Sequence, residues 1–180
     1  MKITFLGHVV PTKGITELVS ACSKINGIKL TLIGLVEDKY KEDLNKIAIG
    51  SENAGWLTFT GEIQRHKALK LINHSDIFVL PSYREAFPFT ILEAMALSKP
   101  IISTDVGAIP EILNIGGSEQ CGFCIKPKDV EDLRLIIIKV LNDDILRNKM
   151  GNFSRNRVEN LYSIENVFPK LLNIWSNLIG

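Results

Sequence analysis

Glu85 and Glu93, with seven residues between them, lie in the stretch Pro81-Ser82-Tyr83-Arg84-Glu85-Ala86-Phe87-Pro88-Phe89-Thr90-Ile91-Leu92-Glu93-Ala94-Met95-Ala96. From Ile91 to Leu97 the run is apolar apart from Glu93, which reads as a buried helix carrying one charge. An unpaired buried carboxylate costs roughly several kcal/mol, so donors must meet Glu93, and a ligand's hydroxyls are one candidate set. Nearer the N-terminus, Gly7-His8-Val9-Val10-Pro11-Thr12-Lys13-Gly14 sets a glycine turn, a histidine and a lysine ahead of a helix start, a combination suited to an anion. The run matches neither G-x-G-x-x-G nor G-x-x-x-x-G-K-[ST], which argues against a dinucleotide fingerprint or a P-loop.

Pro88 fits the first turn of the helix that carries Glu93, leaving backbone N–H groups around Phe89, Thr90 and Ile91 aimed at the preceding loop. Phosphate or sugar oxygens would satisfy them. The ingredients are a cation, a nest of amides and two hydroxyl-binding acids, and a nucleotide-sugar contains the matching parts. Each group also has a plain structural alternative: a solvated turn for Lys13, a solvated loop acid for Glu85, a buried ion pair for Glu93.

The elements that must position these groups follow from periodicity. Strands are expected at Ile3–Leu6, Lys29–Ile33, Leu57–Thr60, Ile77–Leu80, Ile101–Thr104 and Gly122–Ile125. Helices are expected at Ile15–Ile25, Asp38–Ala48, Arg65–Asn73, through Glu93 to Ser98 with Pro100 as the stop, from Ala108, and at Val130–Leu141. Glu111 suits the positive end of its short helix. Strands joined by helix-length segments imply an α/β fold, a doubly wound parallel sheet of about six strands. In such a sheet ligands bind beyond the carboxyl ends of the strands, where the strand order reverses. Residues 143–180 read as extra C-terminal helices: a polar one over Ile145–Leu161, then one opened by Ser163. The second carries Ile164, Val167, Phe168, Leu171, Leu172, Trp175, Leu178 and Ile179 in a stripe, with a kink expected at Pro169.

At 180 residues, 46% hydrophobic and 23% charged, the chain reads as one domain spanning 1–180 with a full core. The net charge of +1 leaves no footprint for nucleic acid or an anionic membrane. The N-terminal apolar run is too short for a signal peptide, and no run approaches the roughly 20 residues of a transmembrane segment, so a cytoplasmic protein is expected. Three cysteines argue against a disulfide framework. Cys121-Gly122-Phe123-Cys124 leads into a strand, so it reads as small buried residues around a turn; the scattered histidines and Cys22 give no metal spacing.

Several segments together resemble one family. They are Phe5-Leu6-Gly7 with Lys13-Gly14, Leu32-Ile33-Gly34, Phe59-Thr60-Gly61, Ser75 to Ser82, Glu85 to Glu93 with Glu93-Ala94-Met95-Ala96, Pro100-Ile101-Ile102 and Pro110-Glu111-Ile112. In this order they are similar to the C-terminal, donor-binding half of a retaining GT-B glycosyltransferase of family four, marked by E-x7-E. The resemblance implies a Rossmann-like half of a GT-B fold in which Glu85 and Lys13 act in catalysis. Donor contacts would come from Gly7, His8, Lys13, Glu85, Ala86, Phe87, Pro88, Phe89, Thr90 and Glu93. Lys13 would meet the diphosphate, Glu93 the ribose hydroxyls and Glu85 the transferred sugar. No metal and no cofactor are expected, the nucleotide-sugar being a co-substrate. A hexosyl group would pass to a glycan or lipid-linked acceptor in bacterial surface-polysaccharide or lipopolysaccharide synthesis, at or near the inner face of the membrane.

Relatives of this kind usually carry arginine where His8 stands, glycine where Ala86 stands and often a polar or basic residue at Phe89. If the backbone at Ala86 needed positive φ, alanine would cost about 1 kcal/mol or more. Complete enzymes of the family are roughly twice as long as one such domain, with a separate N-terminal acceptor-binding domain. The resemblance therefore implies either half of an enzyme or a non-catalytic subunit that binds the donor. A nucleotide-sugar epimerase shares the fold, but E-x7-E with Glu-Ala-Met-Ala points to transfer.

Overall fold

The central strands are buried along their whole length because both faces of the sheet are covered: every residue of Ile77–Leu80 and of Ile101–Thr104 is buried. The structure is a computed structural model and describes residues 1–49 and 55–179. In chain order the elements are β1 (Lys2–Leu6), α1 (Ile15–Cys22), β2 (Lys29–Ile33), α2 (Asp38–Ile49), β3 (Leu57–Phe59), α3 (Arg65–Asn73) and β4 (Ile77–Leu80). They continue with α4 (Phe89–Ala96), β5 (Ile101–Thr104), α5 (Ile109–Ile112), β6 (Gly122–Ile125), α6 (Val130–Leu141), α7 (Asp144–Arg157) and α8 (Ile164–Ile179). The strands run parallel in the order β3-β2-β1-β4-β5-β6.

That order reverses between β1 and β4, so their following loops face one another across a crevice. Helix α1 packs with α2 and α6, and α4 with α3 and α7, forming a helical layer on each side. Phe5, Leu30, Leu32 and Phe78 from the strands meet Ile15, Leu18 and Val19 of α1 and Ile91 and Met95 of α4 in one continuous core.

Several ends differ from the sequence expectation, each through local hydrogen bonding. Helix α1 stops at Cys22 rather than Ile25, where Ser23 Oγ donates to Ser20 O at 2.9 Å and Ile25 N donates to Cys22 O at 3.0 Å, tightening the last turn. Strand β3 ends at Phe59, one residue early. Helix α4 ends at Ala96, before the expected stop at Pro100: Ser98 takes a left-handed φ of 57°, Ser98 N donates to Met95 O at 2.9 Å, and Lys99 N donates to Ala94 O at 3.1 Å. This pair of bonds is a Schellman closure, usually made with glycine at the left-handed position. The polar C-terminal helix begins at Asp144, because Asp143 Oδ1 accepts from Leu146 N at 2.8 Å, and ends at Arg157 before a π turn over Val158–Tyr162. Helix α8 runs through Pro169; its backbone is described to Ile179, whose side chain lies outside the described set.

Gly14 holds the crevice closed at its base. Its φ is 68°, and a Cβ there would stand 2.1 Å from Pro81 O. Gly14→Ala should therefore lower the melting temperature by at least about 2 °C in calorimetry, the left-handed strain and backbone collision adding to about 1 kcal/mol or more. Cys121, just before β6, is buried and Cys124, within it, is half-buried; burial pushes both thiols up, Cys124 to about 12. Iodoacetamide at pH 8 should then alkylate these thiols at least about tenfold more slowly in the folded chain than in guanidinium, since the reactive thiolate is scarce. Equal rates would contradict the strand assignment.

Candidate functional site

The loop after β1 stays beside the end of β2 because Gly7 N donates to Ile33 O at 2.9 Å and Val9 N donates to Leu35 O at 2.8 Å. A 3₁₀ turn over Pro11–Lys13 then aims Lys13 across the crevice. Its Nζ stands 2.5 Å from Glu85 Oε1, with the two side chains 29% and 13% exposed. Ser82 Oγ donates to the same oxygen at 2.7 Å. Lys13 and Glu85, which the sequence assigned to separate parts of a ligand, are thus paired with each other. Each offsets the desolvation of its partner, which a lone half-buried charge would have to bear.

The 81–88 loop is fastened on both sides. Ser103 Oγ donates to Leu80 O at 2.6 Å, Thr104 Oγ1 to Ser82 O at 2.5 Å, and Ala108 N to Ala86 O at 3.1 Å. Ala86 is not among the residues with positive φ, so alanine stands there without backbone strain. Pro88 is the N-cap of α4 with extended backbone, φ −79° and ψ 105°, and not the first helical residue as expected. No side chain caps this helix and its first turn holds no acid, so its leading amides and the positive end of its dipole open toward the crevice.

A cleft of about 450 Å³ results. Gly7, His8 and Lys13 line it from one loop, and Glu85 with Phe87 through Thr90 from the other. Leu6, Val10 and Leu80 line it as well. Ala86 is exposed and does not line it.

Glu93 sits one turn deeper along α4 and faces an adjoining cavity of about 500 Å³ that meets the first at Phe89. Of the two partners the sequence left open for Glu93, a ligand's hydroxyls or an ion pair within the fold, the structure shows an ion pair: Glu93 is 18% exposed and its Oε1 lies 2.6 Å from Arg65 Nη2. The first residue of α3 reaches it because α3 and α4 are neighbours in one layer. Sequence reasoning missed Arg65. A signal existed, since arginine in the first turn of a helix opposes the dipole and another group must hold it there. Tyr162, also missed, lines the same cavity, and Phe87 stands 6.0 Å from Tyr162 and 5.9 Å from Phe89, ring centre to ring centre.

Among the described residues no three His, Cys, Asp or Glu side chains gather as a metal cluster, and no helix is long and apolar enough to cross a membrane. The two adjoining cavities bring together one lysine, uncapped amides and two carboxylates already paired with cations, groups whose chemistry suits an anion and hydroxyls.

Comparison with known proteins identifies the family. The family model described as glycosyl transferases group 1 matches residues 1–157. The chain is 29% identical over 184 residues to the capsular polysaccharide biosynthesis glycosyltransferase CapM of Staphylococcus aureus, covering 98% of this chain and 46% of that protein. It is 30% identical over 149 residues to the putative teichuronic acid biosynthesis glycosyltransferase TuaC of Bacillus subtilis, covering 82% of this chain and 35% of that one. It therefore spans less than half the length of either relative. Among solved structures, the C-terminal domain of a group 1 glycosyl transferase (LpcC) from Francisella tularensis superposes with TM-score 0.79 at 26% identity, covering 91% of this chain and 86% of that one. Anabaena Alr3699/HepE in complex with UDP has the same fold, with TM-score 0.87 at 18% identity over 98% of this chain and 48% of that one. With its Rossmann-like parallel sheet and a family match over most of its length, the chain belongs to the group 1 glycosyl transferases of GT-B fold.

Proposed function

We propose that this chain is the nucleotide-sugar-binding half of a retaining glycosyltransferase of family four, with Glu85 and Glu93 as its E-x7-E acids. The observation that carries the reading is the Lys13–Glu85 pair lying at the strand-order reversal, beside the uncapped N-terminus of α4. In the cleft the two charges neutralise each other. A donor brings a partner for each: anionic diphosphate oxygens for Lys13 and the α4 amides, and sugar hydroxyls for Glu85. The same cation and amides would stabilise the diphosphate as it leaves, a purely electrostatic contribution to transfer that calls on no metal. Glu93, steadied by Arg65, would accept hydrogen bonds from the ribose hydroxyls in the adjoining cavity, and His8 and Phe89 would flank the phosphates and the sugar.

Transfer of a hexosyl group to a glycan or lipid-linked acceptor, in surface-polysaccharide or lipopolysaccharide synthesis on the cytoplasmic side of the inner membrane, is the role that fits best. The relatives named for capsular polysaccharide and teichuronic acid synthesis support it. The acceptor would be held by a separate domain, since transfer needs both substrates oriented together. A second reading, a donor-binding subunit acting with an acceptor-binding chain, draws support from α8. On that helix Phe168, Leu171, Leu172 and Trp175 are 39–51% exposed in an apolar stripe suited to docking.

Calorimetry with uridine, guanosine and adenosine diphosphate-sugars should detect binding of one base class with a Kd of roughly micromolar to millimolar. Glu93→Ala should abolish the binding, and Lys13→Ala should weaken it by about tenfold or more through loss of a charge-assisted contact. Heat with none of the three would sink the donor-site reading. For the docking face, light scattering with a candidate acceptor-binding chain should show a complex that Trp175→Asp prevents. A lasting monomer whose Trp175 fluoresces like a fully buried indole would exclude it.

A further inference from the structure

Behind the cleft the same two loops are joined again. Tyr83 Oη donates to Glu17 Oε1 at 2.5 Å, tying the loop after β4 to the first turn of α1 across 66 positions of sequence. The Tyr83 amide donates to Thr12 O at 2.9 Å, one residue before Lys13. Glu17 Oε2 is buried and has no hydrogen-bond partner among the described residues. Tyr40, whose Oη lies 2.8 Å from Thr16 Oγ1, and Lys128, whose Nζ stands 5.0 Å from the centre of the Tyr83 ring, complete the cluster. Burial pushes both phenols above their usual range, Tyr83 further through its bond to Glu17, so both stay protonated.

For holding the fold alone this is a poor arrangement. Two apolar groups of the same shape would join the loops without leaving a carboxylate oxygen buried and unmatched. What a charged acceptor offers is a short, directional bond. Neither Tyr83 nor Glu17 lines the cleft, whereas Lys13 and Glu85, the other side-chain bridge between these loops, both do. A ligand that engages Lys13 and Glu85 draws on that bridge; it leaves the Tyr83–Glu17 bond untouched.

We propose that Tyr83 and Glu17 are positioning residues, whose hydrogen bond keeps the two loops in register while Lys13 and Glu85 exchange each other for the donor. The proposal rests on reading the cleft as a donor site. It is tested by titrating the full chain with uridine diphosphate-glucose, guanosine diphosphate-mannose and adenosine diphosphate-glucose, with thermal unfolding in parallel. Tyr83→Phe should bind the tightest of the three about tenfold more weakly than wild type. Tyr83→Phe combined with Glu17→Leu removes both polar partners, so it should melt like wild type yet keep the weakened binding. Wild-type affinity in either variant, affinity that recovers in step with stability, or a double variant that fails to fold would overturn the positioning role. Absence of wild-type binding to all three, or unchanged binding in Lys13→Ala, would instead overturn the donor-site reading and this proposal with it.

Discussion

Where the strand order reverses, the loops leaving β1 and β4 have no further strand between them and must satisfy each other directly. Gly14 lets the backbones approach, the Tyr83 amide bonds Thr12 O, and Lys13 and Glu85 close the gap with opposite charges. The crevice is therefore lined by groups already engaged with one another. On the proposed reading as a donor site, an anionic, hydroxyl-rich ligand would be met by charges that change partner without leaving a low-dielectric surround.

Local rules for helices are broken at the starts of α3 and α4 and kept at those of α6 and α7. Helices α6 and α7 begin with Asp129 and Asp143, each accepting from an amide of its first turn. Helix α4 has no side-chain cap, and α3 starts with a cation where an acid would be stabilising. Those two departures meet in one place, since Arg65 of α3 neutralises Glu93 of α4. Local inconsistency of this kind gathers where a binding role outweighs helix stability.

The far ends of α4 and α5 are anchored by the C-terminal region. Arg155 donates to Ala96 O at the end of α4, and Arg157 donates to Ile112 O and Glu111 O at 2.9 and 2.8 Å, at the end of α5. Cations on these last carbonyls suit the negative end of each dipole. The π turn that follows brings Tyr162 against Phe87, so the C-terminal segment supports the loop from outside the sheet. Beyond it, α8 leaves an apolar stripe facing solvent.

Period and punctuation made the strands legible: Lys29–Ile33, Ile77–Leu80, Ile101–Thr104 and Gly122–Ile125 lie where the apolar runs and flanking helices put them. Helix ends were less legible, because Ser98 in a left-handed conformation and the Asp143 cap act through φ and hydrogen bonds, not through hydropathy. Residue types and order alone also marked the two loops as a candidate site, since a lysine before a helix and a lone acid within an apolar helix each demand a partner. Which partner they take was a matter of tertiary structure. Lys13 meets Glu85 and Arg65 meets Glu93 across 72 and 28 positions of chain, and only the folding of the sheet brings such distant groups within reach.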